Sequence, residues 1–148
     1  METNKKHKNI LAFIILIIII CIGGFTYNHF KNCAIKKNIQ HAVAIPVKYS
    51  GGRMDNTIKI KFYYDNKIYE TETLYHGLKP ELGKKYFIAF NKENIEQSVL
   101  FSNCPVPDSL EVTPYGWDKI PIDDYQKDVD AYFEKMLNSG IYKLFPDC

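Results

Sequence analysis

The chain has 148 residues, with 19 lysines and arginines, 17 acids, four cysteines and a formal charge of +2. Beyond an apolar N-terminal run, the remainder is one domain in size, and from Asn28 onward it holds 16 basic and 16 acidic residues. A neutral domain lacks the basic surface that nucleic acid demands, so no nucleic-acid partner is expected.

Residues 1–9 form a tail bearing Lys5, Lys6 and Lys8, and the next stretch, Ile10 to Tyr27, has no charged side chain. As an α-helix those residues rise about 27 Å, close to a hydrocarbon core of about 30 Å. A helix is required there because lipid offers backbone groups no hydrogen bonds. A cleaved signal peptide would need a small-residue site, and Cys21-Ile22-Gly23 is a poor one. Lipidation at Cys21 would want a small residue where Ile20 stands. Residues 10–27 therefore read as an uncleaved anchor, with the lipid bilayer as partner. Lys31, Lys36 and Lys37 beyond the span nearly balance the three lysines before it. A short tail ahead of a signal-anchor favours a cytoplasmic 1–9 and a periplasmic C-terminal domain at a bacterial inner membrane.

Residues 28–41 are polar and read as a juxtamembrane linker, either a helical continuation of the anchor or a short tether. Residues 42–102 carry the β-pattern. Val43, Ile45, Val47 and Tyr49 alternate with Ala44, Pro46 and Lys48, and Pro46 argues for an edge. Thr57–Tyr64, Asp65-Asn66 and Lys67–Leu74 predict a hairpin with a type I′ turn. That register sets Lys61 opposite Glu70 and Lys59 opposite Glu72 on a solvated face. Ile58, Ile60, Phe62, Tyr64, Tyr69 and Thr71 collect on the buried one. Lys85–Phe90 is apolar on both faces and predicts a central strand, and Gln97–Phe101 a last one. Five strands joined in sequence predict an antiparallel meander curling into a small barrel.

Residues 103–122, broken by Pro105, Pro107, Pro114 and Pro121, predict an extended connector lying across the sheet. Within residues 123–148 a helix is predicted from Asp123 or Asp124 to Asn138. Its apolar stripe is Tyr125, Val129, Tyr132, Phe133, Met136 and Leu137. Acids crowd its first turns, where the helix dipole favours them. Charge is segregated: Lys31 to Lys92 holds 12 basic and 5 acidic residues, Glu93 to Cys148 holds 4 and 11. Docking of the halves on each other accounts for this, as would a two-faced surface for a charged partner or lipid headgroups.

Chemistry is sparse. His29, Cys33 and His41 lack a fourth ligand for a structural zinc site, and Asp123, Asp124, Asp128 and Asp130 lack a calcium-binding loop. Neither metal nor cofactor is expected. Cys104 or Cys33 beside His41 or His76 could form a nucleophilic dyad, but no motif marks one. Gly51-Gly52 is too short to cradle phosphate. In an oxidising compartment Cys104 is expected to pair with Cys148. Tyr115 and Trp117 in Pro114-Tyr-Gly-Trp-Asp118 suit a peptide- or glycan-binding surface; Trp117 as a cap on the open barrel end accounts for them equally simply.

Tyr64-Asp-Asn-Lys-Ile-Tyr69, Gly83-Lys-Lys-Tyr86-Phe-Ile-Ala-Phe90, Asn91, Asn94, Ser98, Leu100 and Cys104-Pro-Val-Pro107 together resemble a group of membrane-tethered small β-proteins from Bacteroidetes. In outline they are also similar to the extracytoplasmic β-domain of the DUF3592-type family. The resemblance spans residues 43–107 and implies a β-domain and membrane attachment, with no catalytic residue. The expected function is a non-catalytic, membrane-anchored interaction module of the cell envelope, binding an envelope protein or glycan. The alternatives are an envelope immunity or toxin-associated protein, or an unrecognised hydrolase.

Overall fold

The computed structural model describes residues 2–50 and 56–138. The first element, α1, is one continuous helix, Glu2–Lys37. From Ile10 to Ile22 its apolar side chains stand exposed, none of them packed on the domain, and the helix is long and apolar enough to cross a membrane. Past Tyr27 the same helix changes role. His29, Asn32 and Ile35 recur at helical spacing and are buried against the domain. Residues 28–37 thus continue the anchor as a helix, one of the two forms expected. They form a docked helix end, and the first strand already starts at Ile39, ahead of the expected Ala42.

Five strands follow: β1 (Ile39–Tyr49), β2 (Thr57–Tyr64), β3 (Lys67–His76), β4 (Tyr86–Asn91) and β5 (Asn94–Pro105), with α2 (Asp123–Asn138) last. They close a small barrel in the order β1-β2-β3-β5-β4, with β4 returning to β1. The expected meander order is corrected here. β4 does not lie beside β3; β3 runs parallel to β5 instead. The 77–85 link produces the crossover. Gly83 N–H donates to Pro46 O at 2.9 Å and the Tyr49 hydroxyl to Pro80 O at 2.6 Å, so the link is pinned beside β1. β4 is buried at every position and needs cover on both faces, which charged β3 does not offer. This order, with β1 shared and β3 parallel to β5, is that of an OB-type Greek-key barrel.

The hairpin has the predicted register. Lys61 faces Glu70, Lys59 faces Glu72, and Asp65 and Asn66 take φ of 49° and 59° as a type I′ turn requires. Pro46 pairs with Ile60 just where β1 has left β4, next to an irregularity before Lys48. Its missing N–H is therefore harmless.

Alternation along the strands builds two cores. Ala44, Ile58, Ile60, Phe62, Ile88 and Phe90 fill the barrel. Val43, Phe87, Ala89, Val99 and Phe101 face outward and are covered by Ile35 of α1 and by Val129, Tyr132, Phe133 and Leu137 of α2. All six expected stripe residues of α2 are buried or packed on this outer cluster.

Candidate functional site

The 113–118 segment is the part of the connector tied most closely to the barrel. Thr113 and Gly116 close a tight turn, with Gly116 N–H on Thr113 O at 3.3 Å and the Thr113 hydroxyl on Gly116 O at 2.8 Å. Gly116 has φ of +64°, and a Cβ there would run into the carbonyl oxygen of His41. That close approach lets Trp117 and His41 exchange both backbone hydrogen bonds at 2.8 Å, a bridge on the edge of β1 opposite β4. Pro114 O accepts the Asp65 N–H at 2.8 Å, so the segment also grips the tip of the β2–β3 hairpin.

The two aromatic residues divide the work. Trp117 is partly buried, its ring edge-on to Phe87 at 5.8 Å, within the outer cluster beneath α2. It does not close the end of the barrel interior, since Phe87 points to the other side of the sheet. Tyr115 remains 60% exposed. Its carbonyl accepts Gln40 Nε2 at 3.0 Å and its hydroxyl accepts Asn66 Nδ2 at 3.4 Å in an exposed contact.

Beside this segment lies a groove of about 500 Å³ between α1, the connector and α2, lined by Lys36, Ile39, His41, Asp118, Asp130 and Phe133 among others. His41 is almost fully buried. Trp117 O, at 3.2 Å from Nδ1, can only accept, so Nδ1 carries the proton. Nε2 then has no hydrogen-bond partner among the described residues. Burial pushes the His41 pKa down, against the backbone hydrogen bonds to Trp117 and Asp118 and the charges of Asp130 and Asp118. The imidazole is held neutral.

The cysteines differ from the expected pairing. Cys104 is a free, buried thiol, not a disulfide partner of Cys148, and Cys148 lies outside the described residues. Cys33 is the disulfide-bonded cysteine, and its Sγ stands 3.5 Å from His29 Nε2. His29 and Cys33 are thus one turn apart, as the helical spacing suggests, but an oxidised sulfur is no thiolate ligand. Among the described residues no three His, Cys, Asp or Glu side chains come together as a metal site.

A smaller cavity of about 230 Å³ does gather Cys104, His76 and Asp128 between β5 and α2. Cys104 and His76, one of the pairs the sequence raised as a possible dyad, thus line one cavity, and Asp128 joins them from a third element. Burial, helped by the Asp128 charge, pushes the Cys104 thiol up to about 12. Burial and then Lys135 lower the His76 pKa, with Asp128 opposing. Such a thiol is protonated near neutral pH, and a nucleophile must be thiolate. The helix carboxylates Asp123, Asp124, Asp128 and Asp130 are solvated, and Asp124 pairs with Lys127 at 3.0 Å. Gly51 and Gly52 lie outside the described residues. Comparisons with protein-family models, curated proteins and solved structures find no match.

Proposed function

We propose that this chain is a single-pass, membrane-anchored, non-catalytic interaction module of the bacterial cell envelope. Residues 10–27 span the inner membrane, the barrel is periplasmic, and the surface around Tyr115 and Trp117 engages another envelope protein or a glycan. Exposed apolar side chains along α1 support the anchor, because water does not tolerate so long an apolar face on a folded chain. The disulfide at Cys33 supports an oxidising compartment. The resemblance to tethered β-proteins of Bacteroidetes and the DUF3592-type family points the same way. An OB-type strand order supports no ligand by itself, since one fold hosts many functions.

The observation that carries the reading is the exposed ring of Tyr115 on a hydrogen-bonded turn. An aromatic ring 60% exposed, on a backbone held by hydrogen bonds, offers contact area at little backbone-ordering cost. A hydrolase reading rests on the Cys104–His76–Asp128 cavity, and the protonated thiol weighs against it.

The test is in-cell crosslinking of the full-length protein with a photoreactive phenylalanine analogue at position 115, followed by affinity purification. Tyr115→Ala and Trp117→Ala are carried alongside. A stoichiometric partner that is lost with Tyr115→Ala, while the fold by circular dichroism is unchanged, is the expected result. Recovery of no specific partner sinks the reading.

A further inference from the structure

The barrel is not zipped along its whole height. β3 and β5 pair only over Leu74–His76 against Val99–Phe101, although β3 begins at Lys67 and β5 at Asn94. Ahead of that ladder the hydrogen bond joining the strands among the described residues is Thr73 Oγ1 to Ser98 O, at 2.6 Å. From there toward the hairpin tip no ladder joins the two strands. A groove of about 290 Å³ lies along this unpaired stretch, between Tyr69, Glu70 and Thr71 on one wall and Glu93, Ile95 and Glu96 on the other. It continues past Glu72 and Lys59 to Tyr27 and Lys31 of α1.

The hairpin geometry says which backbone groups face this seam. Across a two-residue turn the flanking pair, Tyr64 and Lys67, exchanges both hydrogen bonds, and pairs then alternate. Lys67, Tyr69, Thr71 and Thr73 therefore bond β2. Ile68, Glu70 and Glu72 turn their N–H and C=O toward the seam, where the described residues supply no strand. Tyr75 N–H, bonded to Asn56 O at 2.9 Å on the β2 side, keeps the same alternation. Such an edge accepts an added strand.

Side chains state what that strand must carry. Glu70, Glu72, Glu93 and Glu96 crowd the outer rim, whereas Tyr69 and Ile95 pack on the barrel core beneath. The opposite edge of β3 already meets these demands through β2, whose Ile58-Lys59-Ile60-Lys61-Phe62 alternates lysine with apolar residues. There Lys61 bonds Glu70 at 3.3 Å and Lys59 stands in register with Glu72. We propose that the β3–β5 seam is a docking groove for an extended segment of another protein, alternating lysine or arginine with apolar residues and added as a strand on β3. The seam shares no residue with the Tyr115–Trp117 surface, so each proposal can fail without the other.

The full-length protein in lipid nanodiscs is titrated with a short capped peptide of alternating lysine and valine, read by amide NMR and hydrogen exchange. Two control peptides replace lysine by glutamate, or carry N-methyl groups on every backbone nitrogen, which removes the donors on both edges. Glu72→Pro deletes an N–H that faces only the seam, and Glu72→Thr removes the charge but keeps it. The proposal expects saturable binding, new protection at the Ile68, Glu70 and Glu72 amides, and a loss of about tenfold or more for both control peptides and for Glu72→Pro. Glu72→Thr should bind between wild type and Glu72→Pro. Equal binding of the N-methylated peptide would mean surface charge alone and overturns strand addition. Protection at other amides, self-association in place of peptide binding, or no binding at millimolar peptide overturns it too. The peptide controls decide the matter even where Glu72→Pro unfolds.

Discussion

Gly116 is where the connector is most sensitive to a single atom. Its φ of +64° and its contact with the His41 carbonyl leave no room for a side chain. Gly116→Ala should cost about 1–3 kcal/mol through a left-handed backbone, and more where the His41–Trp117 bridge opens. Urea unfolding of the full chain in detergent measures it, and an unchanged midpoint would contradict the geometry. His41 gives a pH prediction. Its folded pKa lies below the ordinary 6.5, chiefly through burial. Its neutral form therefore contributes stability that is whole above about pH 6.5 and is lost as pH falls from there through the folded pKa. Asp118 and Asp130 soften that loss. The wild type should lose more stability on acidification than His41→Gln, with His76 common to both. Parallel curves would remove the burial account. In the sequence, Tyr115 and Trp117 stood out as a Pro-bounded aromatic pair, but their opposite fates depend on which strand lies underneath. His41 carried no local signal, because its burial comes from the connector 76 residues away.

Elements were legible where one face is wet and the other dry. The β2–β3 register follows from lysines and glutamates that a one-residue slip would bury. The Lys61–Glu70 pair adds little to it, since both side chains are half-exposed. α2 was legible for the same reason, as its stripe sets the helical period. β4 was recognisable as a buried strand, but not its neighbours: an apolar run fits beside any strand, and the choice of β1 rests on hydrogen bonds from the 77–85 link. The docked end of α1 was hidden by its polar composition, with His29 and Asn32 buried although polar. If α2 is held by its stripe, Phe133→Ala should destabilise the domain by about 3–5 kcal/mol. Lys61→Ala should stay within about 1 kcal/mol. Denaturant unfolding of both variants makes the comparison, and similar losses would mean that the outer cluster is not what retains the helix.

At the scale of the whole molecule, the cysteines report on compartment. Cys21 sits on the apolar stretch of α1, Cys104 is sealed between β5 and α2, and Cys33 is oxidised at the junction of helix and domain. Disulfides persist in oxidising compartments and are rare in reducing ones, so the state of Cys33 in cells tests the proposed periplasmic orientation. Balanced flanking lysines could not decide it. Intact cells are treated with a large water-soluble maleimide, before and after a membrane-permeable reductant, and the band shift of the full-length protein is read. In the proposed anchor lipid would shield Cys21, and folding shields Cys104, whose thiol burial pushes up to about 12. A periplasmic domain should therefore gain label only after reduction, whereas Cys33→Ser, which leaves the other half of the disulfide as a free thiol, should no longer need reductant to label. Denaturant should then reveal Cys104 as well. A barrel on the cytoplasmic side would keep Cys33 reduced and out of reach of the reagent in intact cells, while lysed cells would label without reductant. That outcome would reverse the proposed orientation and take the envelope partner with it.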